Sequence, residues 1–250
     1  MAEEKLAKKE EKGGTDLAVN FMDDAGAGLE NVTQDDLVIP RLKLVQALSP
    51  QVQKHDGAFI EGISVGDIFN TVSNEFWSGE EGITIIPVTY KRVFLEWGPE
   101  RGGGLIATYD DAAILQQTTK NERYQDVLPN GNTIQTTANH YVLQVQEDGS
   151  FTPVMLAMTG TQLKKSKRWN SMMASIKIKS SDGQMFTPAT YSHKYKLTSV
   201  PESNDSGSWY GWNVANLGML AETEADLYTS AKEFGGTVNA ISYTSQDEVA

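Results

Sequence analysis

The stretch that most limits the fold is Ile83–Trp97, ITIIPVTYKRVFLEW, in which β-branched and aromatic residues dominate. Such side chains fit the pleated surface of a sheet, so the pattern predicts one long bent strand or two consecutive strands. Pro87 lies inside the run. Because proline has no N–H to donate to a neighbouring strand, we expect it at a sheet edge or a β-bulge.

Further strand patterns follow along the chain. Asn139–Gln146 and Phe151–Met158 flank an Asp-Gly pair, and Asp-Gly between two strand-like runs is a strong hairpin signal. Phe186–Val200 and Trp209–Val214 are also predicted as strands. We therefore predict a mainly β protein with a minor α component.

Two stretches have helical spacing. Thr161–Lys179 predicts an amphipathic helix, with Thr161 as its N-terminal cap because a threonine hydroxyl can accept an unpaired backbone N–H. Leu220–Phe234 predicts a second helix, which we expect to end at Gly235-Gly236. The apolar face of the first helix is predicted to consist of Trp169, Met172, Met173 and Ile176.

The first helix lies in the basic part of an acidic chain. The formal net charge is -12, yet Thr159–Val200 holds eight basic residues against the single acid Asp182, a local net charge of +7. Overall acidity repels a polyanion at long range, but salt screens that repulsion beyond about 8–10 Å. We therefore interpret the outer face of the helix as cationic and suited to a polyanion. The alternative is a solvated basic face on a helix that packs on the core.

The domain organisation follows from composition. Residues 1–35 are charged and rich in Gly and Asp, with too few apolar residues to offset the entropy of ordering, so we predict a flexible acidic arm. The folded β-rich domain is predicted at residues 36–236, and a polar, weakly acidic C-terminal tail at residues 237–250. Since no apolar run is long enough for a membrane helix or a signal peptide, and cysteine is absent, we expect a cytoplasmic protein that does not bind a membrane.

Residue patterns of known catalytic and metal sites are missing. His55, His140 and His193 are far apart and lack metal-ligand spacing, and the chain has neither a Gly-x-Ser-x-Gly elbow nor a nucleotide-binding glycine fingerprint. We therefore expect no enzymatic activity, no cofactor and no metal.

Aromatic residues near the basic segment suggest a single-stranded nucleic acid as ligand. Cationic grooves with aromatic platforms hold single strands, and each stacked base contributes about 1–3 kcal/mol whatever its identity. Strand alternation would place Tyr191, His193 and Tyr195 on one face, and Lys194 and Lys196 on the other, so these side chains cannot all line one surface. Packing in the core is the alternative role for each aromatic ring.

Several short motifs resemble a group of tailed-bacteriophage proteins, the single-stranded DNA-binding proteins of the OB-fold type. These motifs are Ile39–Leu44, Gly66–Ile68, Glu96-Trp97 with Gly102–Gly104, Thr161–Asn170 and Gly207–Tyr210. The resemblance spans about residues 36–216. It implies an OB-like β-barrel with one or two helices that binds single-stranded DNA without sequence specificity, in phage replication or recombination in the host cell cytoplasm. Phage polymerase and helicase-primase would then be candidate partners.

Our leading hypothesis is non-catalytic binding of single-stranded DNA. Lys164, Lys165, Lys167 and Arg168 are expected to contact phosphates, and Trp169 is expected to stack on a base or to anchor the helix. The other candidate DNA-binding residues are Lys177, Lys179, Tyr191, Lys194, Tyr195, Trp209 and Trp212. The alternatives are a phage virion or scaffold-like structural protein, in which the basic segment contacts another subunit, and a replication or recombination enzyme without recognisable motifs. A homo-oligomer is left open.

The predicted arm leads to a stability test. A chain that begins at Asp36 is expected to have the same Tm as the full chain, because residues 1–35 bury too little apolar surface to contribute. Differential scanning calorimetry of the two chains measures this, and a large drop in Tm would show that the arm packs on the core.

Overall fold

The computed structural model describes residues 21, 23–33, 36–99, 104–205 and 207–240, except for the side chains of residues 239 and 240. They belong to two units, Met1–Val38 and Ile39–Ala250. In the first unit, the backbone N–H and the hydroxyl of Thr33 donate to the Asp36 carboxylate at 2.9 and 2.7 Å. The predicted flexible arm lies largely outside the described residues and stays a prediction.

The described part of the second unit contains thirteen strands and two α-helices. The strands are β1 (Leu42–Leu44), β2 (Ile68–Asn70), β3 (Phe76–Trp77), β4 (Ile83–Trp97), β5 (Leu105–Tyr109), β6 (Thr119–Lys120), β7 (Asp126–Val127), β8 (Thr133–Val145), β9 (Phe151–Thr159), β10 (Ile178–Lys179), β11 (Met185–Phe186), β12 (His193–Asn204) and β13 (Gly207–Met219). The helices are α1 (Leu163–Ser175) and α2 (Ala225–Ala240).

One antiparallel sheet of eight strands forms the frame. Its order is β13-β12-β4-β8-β7-β6, with β5 also paired to β4 and β9 paired to β8. The sheet curls into a half-barrel, which confirms the predicted mainly β, OB-like fold with one or two helices. Two smaller sheets, β1-β2-β3 and the β10-β11 hairpin, complete the described strands.

The run Ile83–Trp97 is a single strand, and Pro87 marks its irregularity. β4 pairs with β8 from Thr84 opposite Val145 to Trp97 opposite Thr133, with a register shift between Pro87 and Thr89. The predicted bulge at Pro87 is therefore confirmed. The predicted Asp-Gly hairpin is confirmed as well, since it joins β8 to β9.

Each face of the sheet carries one helix, because neighbouring residues of a strand point to opposite sides. On one face, α1 packs in the main core through Trp169 and Met173, together with Ile85 and Val142 of the sheet. On the other face, α2 packs against the sheet through Leu227 and Ala231, together with Ile86 and Leu143.

Two predicted strands have different bounds in the structure. The prediction of one strand over Phe186–Val200 is wrong, because β11 ends at Phe186 and Thr190–Ser192 forms a 3-10 turn before β12. The backbone N–H and the hydroxyl of Ser192 both donate to the Ala189 carbonyl, at 3.0 and 2.7 Å, and so close that turn. The strand predicted at Trp209–Val214 extends to Gly207–Met219.

The second predicted helix is displaced toward the C-terminus. α2 begins at Ala225 and continues through Gly235 and Gly236 to Ala240, so the predicted end at the glycines is wrong. A Cβ added to Gly235 would lie 3.1 Å from Val88 Cγ1, so glycine allows the helix to approach the sheet closely. Beyond the glycines, Val238 is buried against the sheet, and this packing outweighs a cost of about 1 kcal/mol per helical glycine. Of the predicted C-terminal tail, residues 237–240 are helical, and residues 241–250 lie outside the described residues.

The small sheet meets the main sheet at a glycine junction. The hydroxyl of Ser199 in β12 donates to the Gly66 carbonyl at 2.5 Å, and the Ser199 N–H donates to the Gly79 carbonyl at 2.8 Å. A Cβ on Gly79 would overlap the Gly66 carbonyl oxygen and Ser199 Oγ. A side chain at residue 79 therefore cannot be accommodated without moving backbone.

We expect Gly79→Ala to lower the free energy of unfolding by about 2–4 kcal/mol, because the new methyl group must push the two sheets apart. Urea unfolding followed by tryptophan fluorescence measures the change. Gly57→Ala is the matched control, since a Cβ there has nothing within 4 Å, and it should change the stability by less than about 0.5 kcal/mol. Equal stabilities of the two variants would contradict the junction.

Candidate nucleic-acid interface

Helix α1 starts later than predicted. Gly160–Gln162 forms a 3-10 turn, and the N-cap position of α1 is Gln162, whose side chain makes no capping hydrogen bond. The predicted cap at Thr161 is therefore wrong. The backbone of Gln162 is already helical, with φ -70° and ψ -19°, so Thr161 lies inside the turn that leads into the helix.

The apolar face of α1 is anchored by Trp169. Its indole is 1% exposed, stacks on the His140 ring at a centroid distance of 4.4 Å, and meets the Tyr195 ring edge-on at 5.7 Å. Of the two roles predicted for Trp169, the structure places it in the anchoring one. Tyr195 is fully buried beside it, so neither ring has a face open to a base.

His140 holds α1 to the sheet by a second contact. Its Nε2 lies 2.8 Å from the Ser166 hydroxyl, and both side chains are buried. Burial lowers the pKa of His140 from 6.5 to about 3, because the charged ring would lose its hydration. The imidazole is therefore neutral at physiological pH.

The outer side of α1 presents three cations to solvent. Lys164, Lys167 and Arg168 are exposed, and none of their side chains has an ion pair or a hydrogen bond with a described residue. We call these three residues the cationic face. Helical spacing of three and four residues keeps them together on one side of α1.

Lys165 lies beside the cationic face but is held by an acid. It pairs with Glu202 of β12, whose Oε2 also accepts hydrogen bonds from Gln162 Nε2 at 2.9 Å and Trp209 Nε1 at 2.8 Å. Burial raises the pKa of Glu202, but the bonds from Lys165 and Trp209 outweigh it and hold this pKa below its usual range. Through Glu202, Lys165 and Gln162 therefore join the start of α1 to the β12-β13 hairpin.

The remaining predicted residues are divided between the two faces of the sheet. Lys177 and Lys179 are exposed at the hairpin after α1, where the Lys177 ammonium donates to the Thr187 hydroxyl. Trp212 is buried in the core that underlies α1.

Tyr191 and Lys194 lie on the opposite side, near α2. The Tyr191 ring meets Tyr228 of α2 at 4.9 Å, and Lys194 Nζ lies 2.5 Å from a Glu224 carboxylate oxygen. They are therefore not brought together with the cationic face. The predicted alternation of β12 holds for Tyr195, which is buried in the core under α1, and for Lys194, which faces the α2 side. It is wrong for Tyr191, which lies in the 3-10 turn before β12 and packs against the core on the α2 side.

Sequence reasoning missed two residues beside α1. Tyr90 of β4 is half-buried, with its ring 5.0 Å from that of His140, and its hydroxyl accepts a hydrogen bond from Arg92 Nε at 3.3 Å. The Arg92 side chain is exposed. Alternation within β4 was the available signal, because residues 90 and 92 of a strand share a face.

Among the residues that the structure describes, no group of three or more His, Cys, Asp or Glu side chains is placed to hold a metal ion. No helix within the described ranges is long and apolar enough to cross a membrane.

Comparison with known proteins places the chain in a family. The family model described as Pam3 phage gp34-like protein matches residues 9–243. The chain belongs to this family. Membership in the Pam3 phage gp34-like family confirms the bacteriophage part of the resemblance seen in the sequence. No curated protein and no solved structure matched the chain.

The buried His140 predicts a specific pH dependence. Its folded pKa of about 3 lies below the ordinary value, so between pH 6.5 and pH 3 the unfolded chain binds more protons than the folded one. Stability should therefore fall as the pH drops through this window, and at pH 5 this residue accounts for a loss of about 2 kcal/mol. Urea unfolding at pH 7.5 and pH 5 measures the loss.

His140→Gln should lose this part of the pH dependence, whatever its stability at pH 7.5. His55→Gln is the matched control, because His55 is exposed and its replacement should leave the pH dependence as in the wild type. If all three proteins lose the same free energy between pH 7.5 and pH 5, His140 is not held neutral in the fold.

Proposed function

We propose that this phage protein binds single-stranded DNA without sequence specificity, through the cationic face of α1. The observation that carries the proposal is the exposure of Lys164, Lys167 and Arg168 without any described acidic partner, on a chain with a net charge of -12. Cations that neutralise backbone phosphates release counterions from the nucleic acid, and this release drives association.

The charge distribution around α1 supports a bound polyanion. Lys120, Lys165 and Lys194 each have a carboxylate partner, so this acidic chain does neutralise several of its cations. On α1, Lys164 instead stands three residues from Lys167 and four from Arg168, spacings at which like charges repel by about 0.2–0.5 kcal/mol per pair. The attraction of a phosphate backbone along the helix for these cations would offset their mutual repulsion.

The preference for a single strand rests on the aromatic residue beside the helix. Tyr90 is half-buried, next to the exposed Arg92, on the sheet face that α1 covers. An aromatic ring and a guanidinium can both stack on a base of any identity, which suits binding without sequence specificity. In this proposal Tyr90 takes the stacking role that the sequence suggested for Trp169 and Tyr195.

Such a protein would act without catalysis in phage DNA replication or recombination, in the cytoplasm of the host. Phage polymerase and helicase-primase would be candidate partners of a protein in this role. The rival hypothesis, a virion or scaffold-like protein whose basic segment contacts another subunit, predicts no salt-dependent binding of free oligonucleotides.

The test replaces two lysines of the cationic face. If both contact phosphates, Lys164→Ala with Lys167→Ala should make the log–log salt slope for labelled oligo(dT) shallower by about 1.4, from about 0.7 per phosphate contact on a single strand. Fluorescence anisotropy at several salt concentrations measures the slope, and affinity should fall alike for oligo(dT) and mixed sequences. A duplex of equal length should bind more weakly than the single strand.

The matched control is Lys54→Ala with Lys232→Ala. It removes the same charge from two exposed lysines outside α1, so the salt slope should stay as in the wild type. Equal slopes for the two double variants would exclude the cationic face as the contact. Failure of the wild type to bind oligo(dT) at low salt would refute the proposed function.

A further inference from the structure

Near the tip of the β12-β13 hairpin, one acidic side chain reaches the start of α1. Glu202 lies opposite Trp209 in the strand register. Its carboxylate accepts hydrogen bonds from Trp209 Nε1 at 2.8 Å and from Gln162 Nε2 at 2.9 Å, and it pairs with the Lys165 ammonium. Three donors from β13 and the start of α1 thus converge on one carboxylate.

A glycine makes the room that this carboxylate occupies. A Cβ added to Gly211 would lie 2.5 Å from Glu202 Oε2 and 2.6 Å from Gln162 Nε2, far inside van der Waals contact. Any larger residue at this buried position of β13 would therefore push the acid or the amide away. We call the space bounded by Gln162, Lys165, Trp209 and Gly211 the anion niche.

The donors of the anion niche suit a phosphate oxygen as well as a carboxylate. An amide, an indole and an ammonium group all donate hydrogen bonds, and any anionic oxygen can accept them. Lysine and glutamine side chains are among the groups that contact phosphates in complexes with nucleic acids. The niche is therefore an anion site that the chain fills with its own acid.

The anion niche adjoins the cationic face of α1. Lys165 follows Lys164 and stands three residues before Arg168, a spacing at which side chains on a helix are neighbours. The side chains of Lys165 and Glu202 are 27% and 24% exposed, so solvent reaches the ion pair. A strand that lies along the cationic face would therefore pass beside this pair.

We propose that Glu202 competes with a phosphate of single-stranded DNA for the anion niche. This inference rests on the proposed function and concerns how tightly that same site binds. While Glu202 fills the niche, it keeps Lys165 from the strand and places a negative charge beside the bound phosphates. The strand then binds through the cationic face without the help of Lys165.

Glu202→Gln tests the competition. The amide keeps the size of the side chain and can still accept from Trp209, but it loses the charge that holds Lys165. Lys165 can then contact one more phosphate, so the log–log salt slope for labelled oligo(dT) should steepen by about 0.7. Between 50 and 200 mM salt, this variant should lose about 2.6-fold more affinity than the wild type loses. Fluorescence anisotropy measures both quantities.

Glu224→Gln is the matched control. It removes the same charge from an ion pair of the same strand, but its partner Lys194 lies on the α2 side of the sheet. Its salt slope should therefore stay as in the wild type. When Lys165→Ala is added to Glu202→Gln, the slope should return to the wild-type value, because the gain requires the freed ammonium.

Gly211→Ala supplies a second variant without any change of charge. Its methyl group should displace the carboxylate from the anion niche, so this variant should show the steeper slope as well. Gly57→Ala, where a Cβ has nothing within 4 Å, is the control and should keep the wild-type slope. Thermal melting followed by circular dichroism verifies that both glycine variants are folded at the assay temperature.

The outcomes separate this inference from the proposed function. If the wild type binds oligo(dT) and its slope depends on Lys164 and Lys167, wild-type slopes in both Glu202→Gln and Gly211→Ala would overturn the competition alone. A steeper slope in Glu202→Gln that persists after Lys165→Ala would overturn it as well. A wild type that does not bind oligo(dT) would overturn the proposed function, and this inference with it.

Discussion

The backbone ladder between β4 and β8 is the interaction on which the second unit depends. Each of these strands carries further strands at its other edge, β12 and β5 on β4, and β7 and β9 on β8. The ladder also separates the two cores, because adjacent residues of each strand point to the faces that α1 and α2 cover. The bulge after Pro87 shifts the register of β4, but β4 continues to pair with β8 on both sides of it.

Acidic partners determine which positive charges on and near α1 remain unpaired. Glu202 reaches Lys165 from β12, and Glu224 reaches Lys194 on the other face, so two of the predicted DNA-binding residues have a carboxylate partner within the fold. What remains exposed is a compact group on one side of a helix, whose other side is held by Trp169 and His140. These contacts hold the helix against the sheet, so the three cations keep their places along its outer side.

Several of the long strands were predictable from local patterns, and the reasons are visible in particular residues. The β-branched run at Ile83–Trp97 and the Asp-Gly turn before Phe151 act within a few residues, and both predictions are confirmed. The end of α2 was not predictable in this way. Gly235 and Gly236 are helix-ending signals locally, but close packing on Val88 and burial of Val238 carry the helix past them.

The sequence by itself determined the mainly β class, the two helices and the concentration of positive charge on the first of them, because periodicity and composition are local properties. Only the tertiary structure decided which of these side chains are exposed and which are buried or paired with an acid. Trp169, Tyr195 and Trp212 could have been stacking platforms, but they are buried, while Tyr90 is half-buried beside His140 and Arg92 is exposed. Burial and ion pairing depend on contacts between residues distant in the chain, such as Lys165 with Glu202, and a linear pattern does not encode those contacts.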